Sequence, residues 1–139
     1  MIESFFTNPT VPDNFFETLE FECAKAKYFQ MDISLFFIKL CPEIDLITTC
    51  GMLRAKHIFK DIHNIIRQNV RHVDRVFYFG CDGFMLILPH TPKSHSNILI
   101  RKLSSLITNY SFTDDYGATH ALSPKFGVSS YPQGKEDNA

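Results

Sequence analysis

The sequence predicts a single α/β domain of the α+β kind, with a central, mostly antiparallel five-stranded sheet flanked by helices. Three observations carry this expectation. With 139 residues and 45% hydrophobic content, the chain can bury one full core and is too short for two. Two apolar, aromatic-rich runs, Val73 to Phe79 and Phe84 to Leu88, are separated by Gly80, Cys81, Asp82 and Gly83, the composition of a tight β-hairpin. From Leu53 to Val70, the residues Ala55, Phe59, Ile62, Ile66 and Val70 recur at helical spacing, with Ile58 and Ile65 widening the stripe.

The first twelve residues contain Pro9 and Pro12 and read as a lead-in rather than a long helix. Asp13 is a good N-cap for a helix that places Phe16, Leu19, Cys23 and Ala26 inward and Glu17, Glu20 and Lys27 in water. Ile33 to Leu40 is apolar enough for a strand at the centre of the sheet, and a short helical turn is expected around Ile44 to Thr48. After the long helix, both runs of the hairpin are almost continuously apolar, so both are expected to be central strands covered on two faces. Pro89 and Pro92 precede a third helix, Ser94 to Asn109, with Leu99, Leu103, Leu106 and Ile107 inward and Arg101 and Lys102 outward. Tyr110 to Ser123 is polar around Gly117 and reads as a loop holding a short edge strand, and Lys125 to Tyr131 is the last strand.

A net charge of −1 gives no global basic field, which argues against broad binding to nucleic acid or membrane surfaces. Any anionic ligand must be held locally. Cys23, Cys41, Cys50 and Cys81 lack metal-ligand spacing and lie in apolar segments, so they are expected to be reduced thiols of a cytoplasmic protein without zinc. No run of 18 apolar residues occurs, so no membrane insertion by this segment is expected.

The residues Gly80, Cys81, Asp82, Gly83 and Phe84, with Arg71 and Asp74 before them and Leu86, Ile87, Leu88 and Pro89 after, resemble the signature region of the GGDEF family, the diguanylate cyclase domains of bacteria. They fall where the family has Gly, Gly, Asp or Glu, Glu, Phe; Cys81 and Gly83 depart. The stretch Lys125 to Tyr131 is similar to the family's Ser-x-Gly-Ile-Ala-x-Tyr-Pro, and Gly51 keeps the first glycine of its Gly-His-x-x-Gly-Asp. The resemblance implies a nucleotide-cyclase-like fold, as a degenerate GGDEF-like domain over residues 13–134, between a lead-in over 1–12 and a tail over 135–139. The family's last helix, with its phosphate-contacting basic residues, is expected to be missing.

Within that resemblance the site is altered. The family's strand-end Asp-x-Asp is replaced by Lys39 and Cys41, and its fourth signature carboxylate by Gly83. Magnesium demands oxygen ligands, and Asp82 alone beside a lysine is a poor metal site. Asp13 and Glu22 fall where the resemblance puts guanine contacts, and with Lys39 they could form a nucleotide-binding remnant; an N-cap and a solvated helix face are the plainer reading. Arg71 and Asp74 match the family's inhibitory Arg-x-x-Asp site for cyclic di-GMP, with Arg101 or Lys102 as a second cation, while a plain helix-to-strand junction is the competing reading. The resulting expectation is a catalytically inactive GGDEF-like module, with no catalytic residue, metal or cofactor. It would be regulatory or scaffolding and could receive cyclic di-GMP, with a protein partner or fused signalling domain and a homodimer as further expectations. A weak cyclase or GTP-binding domain, and a purely structural dimerisation domain, are the alternatives.

Overall fold

The structure, a computed structural model, describes residues 14–42, 46–79 and 83–131. Along the chain come α1 (Phe15–Phe29), β1 (Ile33–Pro42), α2 (Leu46–Cys50), α3 (Met52–Gln68), β2 (Arg75–Tyr78), β3 (Phe84–Pro89), α4 (Lys93–Thr108), β4 (Ser111–Thr113) and β5 (Thr119–Tyr131). The strands form one five-stranded sheet in the order β2-β3-β1-β5-β4, and every pairing is antiparallel. The expected fold class is therefore the observed one.

The two faces of the sheet divide the helices. β1 alternates, sending Ile33 and Leu35 toward α1 with Phe15, Ala26, Phe77 and Ile87. Its Phe36, Ile38 and Leu40 enter the larger core, with α2, α3, α4 and the inner residues of β3. On α3 the predicted stripe is the buried one: Ala55, Ile58, Phe59, Ile62 and Ile66. At roughly 25 cal/mol per Å² of apolar surface removed from water, this double layer is the main source of stability.

Several sequence expectations need correction. β3 is covered on both faces as expected, but β2 is four residues long and forms the sheet edge, so only one arm of the hairpin is central. In α1 it is Phe15, not Phe16, that turns inward, and Phe16 is 65% exposed. The cap of α1 is Asn14, whereas Asp13 lies outside the described residues. In α4, Leu103 and Ile107 are buried with Ser96, but Leu106 faces solvent. β5 begins at Thr119 rather than at Lys125, because Asp114 closes a turn back from β4. Its Oδ1 accepts from the amides of Tyr116 at 2.8 Å and Ala118 at 3.0 Å, and Gly117 takes φ +85°. Such Asx-type bonding replaces a loop by a hairpin.

Candidate functional site

Two regions carry the residues singled out from the sequence. The first is the end of the β2–β3 hairpin. Of the signature residues, Gly80, Cys81 and Asp82 lie outside the described residues, and Gly83 and Phe84 are placed. Gly83 is buried at φ +120°, and its carbonyl accepts from the amide of Phe79 at 2.8 Å. A Cβ at this position would stand 1.9 Å from the carbonyl oxygen of Ile38 and 3.0 Å from Lys39 Cα. Glycine is thus required twice, by its backbone angle and by the close approach of β1. The next residue, Phe84, pairs with Ile38 of β1 and with Tyr78 of β2, which ties the turn to the strand end.

Lys39 is exposed on β1 and stands directly opposite Lys125 of β5. Two like charges across a ladder disfavour a cation between them and favour an anion. Lys125 was not singled out from the sequence, and only the strand register could reveal it. Glu22 does not sit on a solvated helix face. It is 3% exposed, with Oε1 3.1 Å from Lys25 Nζ of its own helix, in an arrangement without hydrogen-bond angles.

Beside Phe84 opens a pocket of about 340 Å³ lined by Lys56, Phe59, Lys60, His63 and Tyr78. His63 is half-buried with its ring 6.0 Å from that of Phe84. Burial, assisted by Arg67, pushes its pKa down, so it is neutral near pH 7. His63 is therefore a half-buried neutral side chain rather than a solvated one. The detectable sign was the spacing of Lys56, Lys60 and His63, which recur along one side of α3.

The second region is the junction between α3 and β2. Arg71 and Asp74 are brought together there by a tight turn in which the Asp74 amide donates to the Arg71 carbonyl at 3.1 Å. The guanidinium grips the carboxylate on two sides, with Nε 3.2 Å from Oδ2 and Nη2 2.7 Å from Oδ1. The Arg71 amide adds a bond to Oδ2 at 2.7 Å. Nη2 also faces the Pro89 carbonyl at 2.6 Å and Thr91 Oγ1 at 2.7 Å, so its hydrogens are shared among three oxygens. Arg67 donates to the Asp74 carbonyl at 3.0 Å and to the Arg71 carbonyl. Thr91 carries the network inward, since its carbonyl accepts from Ser34 Oγ at 2.7 Å, and Ser34 meets Ser130 at 3.0 Å.

Asp74 is 4% exposed and fully engaged, whereas the Arg71 side chain is half exposed and its Nη1 makes no hydrogen bond among the described residues. The pair lines an open pocket of about 250 Å³ with Asn69, Val70, Leu88, His90, Thr91, His95 and Leu99. Neither Arg101 nor Lys102, both exposed, lines it. α4 contributes His95 and Leu99 instead, because residues one helical turn apart share a face.

A family model, described as the diguanylate cyclase GGDEF domain, matches residues 13–139. The chain therefore belongs to the GGDEF family. Among solved structures it is similar to the GGDEF domain of YfiN (TpbB) from Pseudomonas aeruginosa, with TM-score 0.75 and 20% identity over 90% of this chain and 79% of that one. The GGDEF domain of DgcB from Caulobacter crescentus in complex with c-di-GMP gives TM-score 0.76 at 15% identity, covering 86% and 69%. Diguanylate cyclase SiaD from Pseudomonas aeruginosa, in complex with its activator SiaC, gives TM-score 0.74 at 14% identity, covering 97% and 54%. No curated protein matches the sequence. Among the described residues no helix is long and apolar enough to cross a membrane.

Proposed function

We propose that this chain is a GGDEF domain that makes no cyclic di-GMP and serves as a regulatory or scaffolding module, sensing cyclic di-GMP at the Arg71–Asp74 pocket. The observation that supports the loss of catalysis is the packing of Gly83 on β1. The resemblance asks for a carboxylate there, and a side chain of any kind would collide with the Ile38 carbonyl oxygen. Its expected partner is Lys39, which faces Lys125. Phosphoryl transfer to a nucleotide depends on cations that neutralise charge on the phosphate oxygens, and with Lys39 and Gly83 where the family has carboxylates, Asp82 is the one signature carboxylate left to recruit magnesium, a poor site for a hard cation.

Sensing is supported by the second region. Asp74 fixes the Arg71 guanidinium in one orientation, leaving Nη1 for a phosphate or a guanine edge, next to His90 and His95. DgcB, similar in fold, is described in complex with c-di-GMP. A second reading, residual binding of GTP without turnover, is favoured by Lys56 and Lys60 at the rim of the aromatic-walled pocket beside Phe84.

Calorimetric titration with cyclic di-GMP and with GTP separates these readings. Cyclic di-GMP is expected to bind, and His95→Ala, which removes no bond of the Arg71 clamp, to weaken it. No heat at about 100 μM ligand would overturn the sensing role, since micromolar sites are nearly saturated there. Heat with GTP alone would favour the second reading.

A further inference from the structure

α1 has two patterned faces. Phe15, Leu19, Glu22 and Ala26 lie on the sheet, at spacings of four, three and four residues. Glu17, Phe21, Ala24 and Tyr28 repeat the same spacing two positions on, and two positions are about 200° around the helix. That second stripe faces solvent, with Phe21 60% and Tyr28 81% exposed. A single exposed aromatic is ordinary; two exposed aromatics flanking the small Ala24 at coiled-coil spacing, with Glu17 one turn before them, make a docking face.

We infer that this face pairs with its own equivalent on a second copy of the chain, with the two helices antiparallel. The charge pattern decides both partner and direction. The first half of α1 carries Glu17 and Glu20 outside, and the second half carries Lys25 and Lys27. In a parallel pair Glu17 would oppose Glu17. About a two-fold axis between residues 22 and 23, Phe21 packs on the partner's Ala24 and Glu17 reaches the hydroxyl of the partner's Tyr28. Along the flank Glu20 meets the partner's Lys27, and the symmetry repeats that pair. The antiparallel helix dipoles also attract. Lys25, held over the Phe21 ring at 5.4 Å and beside Glu22 at 3.1 Å, orients the aromatic for this contact. The surface lies on the opposite side of the helix from the sheet, so pairing leaves the fold and both pockets untouched.

Sedimentation of the purified chain over a concentration series tests this. The mass is expected to rise from 16.0 kDa toward twice that value at high concentration. Phe21→Asp, an exposed position whose melting curve is expected to be unchanged, should weaken association about tenfold or more. Lys27→Glu should weaken it by roughly threefold to tenfold, and adding Glu20→Lys to it should restore the parent value. A mass of one chain at about 500 μM, a dimer indifferent to Phe21→Asp, or a double reversal as weak as the single one would each overturn the proposal.

Discussion

Gly83→Ala is the smallest change that tests the closed hairpin end. The added methyl carbon would lie 1.9 Å from the Ile38 carbonyl oxygen, 2.9 Å from its carbon and 3.0 Å from Lys39 Cα. All three are backbone atoms, so no rotamer change relieves the clash. The φ of +120° is itself costly for any residue with a side chain, by about 1–3 kcal/mol. Moving the turn away from β1 would strain the bond from Phe79 to Gly83 and the pairing of Ile38 with Phe84, at about 0.5–1.5 kcal/mol for each bond lost. Together these give a destabilisation of about 2–6 kcal/mol, which for a domain of this size is a fall in melting temperature on the order of 10 °C. Differential scanning calorimetry of parent and variant measures it directly. Gly83→Glu, which writes back the residue the family carries, meets the same oxygen and should be no more stable. A melting temperature within about 2 °C of the parent in either variant would refute the reasoning, because it would mean that β1 leaves room for a side chain.

The remaining predictions concern the second region and the far hairpin. Asp74→Asn should lower stability by about 1.5–3 kcal/mol in urea unfolding, since a buried carboxylate that takes three bonds from Arg71 loses its charge. A change near zero would mean that the clamp forms no structural lock. Asp114 has its pKa held below the usual carboxylate range, chiefly by the bond to His120 at 2.8 Å and then by the amides of Ala118 and Tyr116. A depressed carboxylate stabilises the fold above its unfolded pKa of about 3.9 and loses that contribution as the pH falls through the lower folded value. Protection of the β4 and early β5 amides against exchange, taken relative to the intrinsic rate at each pH, should fall below about pH 4 in the parent. Asp114→Asn should remove that acid dependence, and a parent hairpin equally protected at pH 3 and pH 6 would contradict it.

What the sequence disclosed and what it concealed follow from the range of the forces involved. The α3 stripe and the β1 run were legible because burial imposes a period on neighbouring residues, and Ala55, Ile62 and Ile66 repeat it plainly. The edge position of β2 was not, since its composition matches that of β3 and only the sheet order distinguishes them. Phe15 and Phe16 are chemically equivalent neighbours, so the inward one is set by the rotation of α1 about its axis, which buries Phe15 on the same side as Glu22 and Ala26. The union of Arg71 with Asp74 was readable from a four-residue motif. Its third and fourth acceptors, Pro89 and Thr91, come from the strand end 18 and 20 residues on, and so does the choice of His95 over Arg101. Lys125 became visible opposite Lys39 only through the β1–β5 register. The meaning of Gly83 also changed: the missing carboxylate was evident, while the contact that forbids any replacement is a tertiary distance of 1.9 Å.

Whether this GGDEF domain makes cyclic di-GMP is measured by product formation. The purified chain, incubated at high concentration with GTP and either magnesium or manganese, is analysed for cyclic di-GMP against a no-protein control and an active GGDEF domain. No product above the no-protein control is expected with either metal, at any protein concentration up to that which populates the proposed dimer. Cyclic di-GMP accumulating in proportion to protein and time would contradict it.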